Sequence, residues 1–301
     1  MATETLFDMD MAAREVAARA HTLGNGWWQA GDASQWSPRR CETGEGLAGA
    51  DRLLAALSAL SCGAVGGWWY QEGGRREPQS AHPAARATLP DGTVLAHAAP
   101  PRTAGASAPG PRELQRLADA LLADAGPRVL VGGTRHPMRH ATLNAVMVPA
   151  GDAWGRTGRG LARLVLAIAG TRLERDDPTA DLVAGIACAF ALADLGVDPE
   201  ATGPQAIIAP TCPREPTPAW ARLVDGHGAG LADCASRADA IASGMTSPVR
   251  ADDGATGPPA WWADVAREGR RPAEGTGRYT LGQAMRDACA ASSSLTAGTA
   301  D

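Results

Sequence analysis

The chain has 301 residues and a formal net charge of −5, with 64 alanines, 28 arginines, no lysine, nine Trp and only two Phe and two Tyr. It holds no run of 18 apolar residues, which excludes an ordinary membrane-spanning helix, and Glu4, Asp8 and Asp10 stand where a secretion signal carries positive charge. Its arginines are scattered, which argues against a surface that grips phosphate over its whole area and leaves room for a local basic groove.

Six cysteines, at positions 41, 62, 188, 212, 234 and 289, form no CxxC pair and fit reduced thiols in a cytoplasmic protein. With few Phe and Tyr, the core must be built from Ala, Leu, Val and Trp, which bury less apolar area per residue than usual.

In chain order, Asp10 is the expected cap of a helix running to Gly24, and Asp51 the expected cap of a second, DRLLAALSALSCGAV, ending at Gly66–Gly67. Tryptophan pairs follow each helix, at Trp27–Trp28 and Trp68–Trp69. Adjacent side chains point in different directions, so one member of each pair can anchor the core while the other lies at the surface. Residues 76–110 are rich in Pro, Gly and Ala and read as a linker, with DGTVLAH as a short strand after an Asp-Gly turn. Pro111 opens a helix with a stripe of Leu114, Leu117, Leu121 and Leu122. Asp177, Pro178 and Gly196 bracket another helix, in which Leu182, Ile186 and Phe190 recur at helical spacing. GPQAIIAP reads as a strand; PAWARLVDG, GLADCASRADAIASG, AWWADVAREG and LGQAMRDACAA read as helices before a Ser/Thr/Gly tail.

The segment with most chemical content is 127–150, PRVLVGGTRHPMRHATLNAVMVPA. RVLVGG predicts a short buried strand, and HATLNAVM a helix opening at His140. His136 and His140 are four residues apart, a spacing that suits two metal ligands on one helix face, but Pro137 between them breaks that helix. Arg139 then faces solvent or an anion.

His136, Pro137, Met138, Arg139, His140 and Ala141 resemble the histidine-bearing motif of the zinc-dependent cytidine and tRNA-adenosine deaminase superfamily. The resemblance is greatest to the non-catalytic subunit of tRNA adenosine deaminase, whose pattern is His-Pro-Leu-Arg-His-Ala. It implies a three-layer α/β/α core, zinc held by His140, and RNA together with a protein partner or a second copy of the chain as partners. Thr142 occupies the position of the glutamate that shuttles the proton, so a catalytic carboxylate is missing. In the second half of the signature, Arg214, Glu215 and Pro216 match the approach to the cysteine pair, and Thr217 and Trp220 stand where the two thiolates belong. Cys212 lies five residues earlier, and the ACAF run around Cys188 falls inside a helix.

The expected fold is therefore α/β or α+β and helix-rich: an N-terminal helical region (1–75), the linker (76–110), a main α/β domain (111–291) and a tail (292–301). Three functions follow. The resemblance implies a degenerate deaminase-like pseudoenzyme in tRNA processing, acting as a structural or RNA-positioning partner. The residues alone also admit a metal-free small-molecule enzyme whose pocket is lined by the paired tryptophans and by His21, His136 or His140, and a helix-rich, non-enzymatic interaction protein.

Overall fold

A computed structural model describes residues 6–74, 85–98, 108–124, 128–140, 142–199 and 217–249. In chain order its helices are α1 (Met9–Leu23), α2 (Ala33–Trp36), α3 (Gly49–Cys62), α4 (Pro111–Asp124), α5 (Gly158–Thr171), α6 (Ala180–Asp194), α7 (Ala221–Val224) and α8 (Gly228–Thr246). The strands are β1 (Arg39–Arg40), β2 (Trp68–Gln71), β3 (Arg86–Thr88), β4 (Val94–Ala98), β5 (Arg128–Val131), β6 (Met138–His140) and β7 (Ala145–Val148). They form two open mixed sheets, ordered β1-β2-β4-β3 and β5-β7-β6. This is a helix-rich α+β arrangement, and the closed three-layer core implied by the deaminase resemblance is not what these strands build. The expected strand GPQAIIAP, the motif residues Arg214 and Glu215, and the two helices expected near the C-terminus lie outside the described residues.

Within the stretch expected as a linker, β3 and β4 pair antiparallel, and β4 pairs antiparallel with β2. The turn joining β3 and β4 follows from its residues. Asp91 Oδ1 accepts the Thr93 N–H at 2.8 Å and Gly92 takes φ 85°, a backbone conformation that glycine adopts without steric penalty.

The helix starts differ from the local reading in an instructive way. Asp8, in place of Asp10, caps α1 by accepting the Met11 N–H at 2.8 Å. Asp10 serves another helix, accepting the Gly228 N–H at the first residue of α8 at 2.9 Å. Asp51 lies inside α3, whose N-cap is Ala48. The first N–H of α3, at Gly49, donates to Asp239 of α8 at 3.1 Å. α8 and α3 thus receive terminal partners from far along the chain, which satisfies N–H groups that the local sequence leaves orphaned.

Helix α6 is buried from Leu182 through Ala193, and α8, α5 and α2 pack around it. Its small residues set the approach distance. A Cβ on Gly185 would stand 2.7 Å from Trp28 Cδ1, so the indole lies directly on the helix backbone. Both members of the first tryptophan pair are in the core, Trp27 and Trp28 each being 1% exposed. Trp27 meets Trp36 and Trp220 at centroid separations of 6.5 and 6.2 Å, and Trp36 meets Phe190 edge-on at 6.2 Å. Aromatic pairs of this kind add about 0.5–1.5 kcal/mol each beyond area burial. In the second pair Trp69 is fully buried, with His97 edge-on at 5.3 Å, and Trp68 is half-buried.

Arg52 sits inside this assembly, 5% exposed. Its Nε donates to the Trp36 carbonyl at 2.9 Å and its Nη2 to the Phe190 carbonyl at 3.0 Å. Asp194 and Asp239 accept from Nη2 and Nη1 at 2.9 and 3.0 Å, and the guanidinium carbon lies 4.1 Å from the Phe190 ring centroid. One residue of α3 thereby joins α2, α6 and α8. Removing one partner of a buried, fully bonded ion pair leaves uncompensated charge, which costs about 3–5 kcal/mol. Urea unfolding of Arg52→Ala should show a stability loss of about that size, whereas loss of the exposed Arg116–Glu113 pair should leave the midpoint in place. Equal midpoints for the two variants would contradict this account of the core.

Candidate functional site

The segment 127–150 forms a strand, a loop and a hairpin against α5. β5 pairs parallel with β7, and β6 pairs antiparallel with β7 on its other side. The residues HATLNAVM expected as a helix are therefore the end of β6, a turn over 142–144, and β7. The physical reasons lie in the sequence. Pro137 favours extended backbone before it, the AVMV run is as suited to a strand as to a helix, and Asn144 takes the left-handed conformation at φ 43°.

Asn144 also ties the hairpin to the C-terminal end of α5. Its Nδ2 donates to the Thr171 carbonyl at 3.0 Å, and its Oδ1 accepts from Arg139 Nη2 at 3.2 Å. Arg139, expected to face solvent or an anion, instead donates to the Leu173 carbonyl at 3.3 Å and runs along α5 beside Gly170. Val146 and Val148 face the core, with Val129 packed against it. On the opposite face Leu130, Met147 and Met138 are register neighbours, and Met138 is 50% exposed.

His140 Nδ1 accepts the Leu143 N–H at 3.2 Å, which fixes its tautomer and gives it a turn-closing role. Thr142 is exposed in the same turn. Trp220, in the position of a motif cysteine, is buried and donates from Nε1 to Asn25 at 2.9 Å, far along the chain from this hairpin and packed against Trp27. Thr217 Oγ1 and His21 Nδ1 are hydrogen-bonded at 2.7 Å. Among the described residues no three His, Cys, Asp or Glu side chains come together as a metal site. The zinc position assigned to His140 by resemblance thus has no companions among them. Burial pushes the thiols of Cys41, Cys62, Cys188 and Cys234 up.

A second feature, spread over three stretches of sequence, converges at the other end of α5. The loop 132–137 opens with Gly132 and Gly133 at φ 99° and 72°, and is closed by Thr134, whose hydroxyl donates to the His136 carbonyl at 2.7 Å and accepts the His136 N–H at 3.3 Å. Arg135 and His136 are exposed in this loop, and Arg159 and Arg163 stand one turn apart on α5. Loss of water contact and then the guanidiniums of Arg163, Arg159 and Arg135 hold the His136 imidazole below the ordinary histidine range. Among the described residues none of these three arginines has an ion-pair partner. The carboxylate of Asp152, in the turn before α5, is taken by Arg156 at 2.5 Å. The expected motif residues His136 and Arg139 thus belong to different places. One joins a basic cluster and the other is a structural clamp.

In an NMR titration, His136 should have a midpoint below that of an ordinary histidine, and Arg159→Gln with Arg163→Gln should raise it. An unchanged midpoint in the double variant would mean that the three groups do not share one surface.

No family model matches the chain, and no curated protein matches it. Two solved structures are similar, both of the antirestriction ArdC protein from plasmid R388. The Mn(II)-bound form aligns with TM-score 0.50 and 15% identity over 81% of this chain and 99% of that one. The metal-free form aligns with TM-score 0.50 and 14% identity over 80% and 97%. The likeness is one of fold. It replaces the deaminase and tRNA-processing assignment, whose motif helix and zinc partners are also lacking among the described residues: the chain has an ArdC-like, helix-rich α+β fold.

Proposed function

We propose that this chain is a non-enzymatic interaction protein on the ArdC fold, with an antirestriction role exerted by binding. The observation that supports this reading is a contrast. The likeness runs over nearly the full length of ArdC, one of whose solved forms carries Mn(II), yet the described residues of this chain bring no three metal-ligating side chains together. With no such group among the described residues, it is their surface that this reading assigns the role.

The small sheet and the N-terminal half of α5 are the part of that surface best suited to a partner. Met138 is 50% exposed on this sheet, with the partly buried Met147 and Leu130 as its register neighbours. No helix among the described residues is long and apolar enough to cross a membrane. Trp27, Trp28 and Trp69 face the core, which favours a surface-acting protein over an enzyme whose pocket these three line.

The test is the plating of unmodified phage on a bacterial host that carries a restriction system and expresses this chain. Plating should rise relative to an empty host, and the purified protein should hold less than one equivalent of manganese or zinc by elemental analysis. Unchanged plating would remove the antirestriction role. Stoichiometric metal together with a hydrolytic activity lost on chelation would remove the non-enzymatic one.

A further inference from the structure

The chain contains two asparagines, Asn25 and Asn144, and the fold holds them in opposite circumstances. Asn25 is exposed in a single 3-10 turn, Gly24–Gly26, which joins α1 to the first tryptophan pair. Glycine flanks it on both sides. With no Cβ on the following residue, the Gly26 backbone nitrogen can approach the Asn25 side-chain amide closely. The turn is three residues long and has the poorer hydrogen-bond geometry of a 3-10 helix, so it opens locally at low cost. Asn144, by contrast, is followed by the fully buried Ala145, which pairs in β7 with the strands on both sides. Both ends of the Asn144 amide are bonded, to Thr171 and to Arg139.

The Asn25 side chain is held from two sides. Trp220 Nε1 donates to its Oδ1 at 2.9 Å, and its Nδ2 donates to Asp181 Oδ2 at 3.4 Å. The Trp220 ring is buried against Trp27, so its N–H is fixed in direction. Attack on the Asn25 Cγ places negative charge on Oδ1. A donor that is already aimed at this oxygen stabilises that charge without having to reorganise.

We propose that Asn25–Gly26 is a site of spontaneous deamidation, with the Trp220 N–H assisting ring closure. This goes beyond the binding role above and does not rest on it. The Gly26 backbone nitrogen gives its proton to water and bonds to Asn25 Cγ; the Cγ–Nδ2 bond breaks, and Nδ2 takes a proton from water and leaves as ammonia. One water molecule then opens the succinimide at either carbonyl, giving aspartate or isoaspartate at position 25. Both products lose the N–H donor to Asp181 and set a second carboxylate beside it. Isoaspartate also runs the main chain through the side-chain carbon, which lengthens the backbone immediately before Trp27 and Trp28 in the core. The reaction is an irreversible ageing step that loosens the junction of α1, α6 and α7.

The experiment is incubation of the full folded chain in heavy-oxygen water at mildly alkaline pH, with peptide mapping by mass spectrometry at intervals. Asn25 should be converted with uptake of the label, faster as pH rises, while Asn144 stays intact. Gly26→Ala is the cleanest variant, because a Cβ there meets nothing closer than Gln29 Oε1 at 3.6 Å and the backbone is not left-handed. Its conversion should be undetectable over the time in which the wild type is half converted. Trp220→Phe keeps an aromatic ring and removes the donor, which should slow conversion roughly ten-fold, the worth of one hydrogen bond to a charged oxygen. If circular dichroism shows that this variant does not fold, the wild type in unfolding urea replaces it and should convert more slowly than the folded chain. Converted chain, separated by ion exchange, should unfold at lower urea than fresh chain. The proposal is overturned if Asn25 stays intact, if Asn144 converts as fast, if Gly26→Ala changes nothing, if loss of the Trp220 contact leaves the rate unchanged or raises it, or if converted and fresh chain unfold together.

Discussion

The architecture depends on the charge of Arg52 being satisfied in a place with almost no water. A guanidinium has five N–H donors in a rigid fork, and here it meets two backbone carbonyls, two carboxylates and an aromatic face at once. Those partners come from α2, α6 and α8, so the arrangement of these helices around α3 is specified by directional bonds as well as by packing. An alanine-rich core needs such a device. Small side chains interlock less than large ones, and several packings of smooth helices would otherwise lie close in energy. The tryptophans supply the complementary part. Trp27, Trp28, Trp36 and Trp220 fill the volume that alanines leave, and Trp28 can reach the backbone of α6 only because residue 185 is glycine.

Much of the secondary structure was legible because it is written locally. Pro111 is the first residue of its helix as expected, and RVLV and VLAH are strands as their composition indicates, whereas the helix before Gly196 begins at Ala180 with Thr179 at its N-cap in place of Asp177. The errors have specific causes. HATLNAVM contains no residue that forbids a helix, and the deciding facts are the pairing of AVMV with β5 and the left-handed Asn144. The cap expected at Asp10 falls two residues earlier, on Asp8, and the one expected at Asp51 fails because the start of α3 is served across space. Asp10 caps α8, and Asp239 serves the start of α3.

The candidate site was less legible than the fold. Six consecutive residues, His136 to Ala141, carried the deaminase resemblance, yet the backbone of His136 to His140 is a loop and an edge strand. His140 closes a turn and Arg139 binds the end of a helix. A short motif fixes side-chain identity and leaves backbone conformation open, so it conveys chemistry only when the surrounding elements agree. The basic cluster had no motif at all. Arg135, Arg159 and Arg163 are separated by a hairpin and a loop, and only the packing of α5 on the second sheet unites them. An Arg-x-x-x-Arg spacing in the first turns of a helix that lacks acidic residues was the one local sign.

The long-range caps and ion pairs bear on how the chain is made. Asp10 and Gly228 are 218 positions apart, and Arg52 and Asp239 are 187 apart. A ribosome adding about 5–20 residues each second leaves Arg52 without Asp239 for roughly 10–40 seconds after its own synthesis. Until then the first N–H of α3 and one arm of the Arg52 guanidinium have no carboxylate to meet, and both are completed by the same residue of α8.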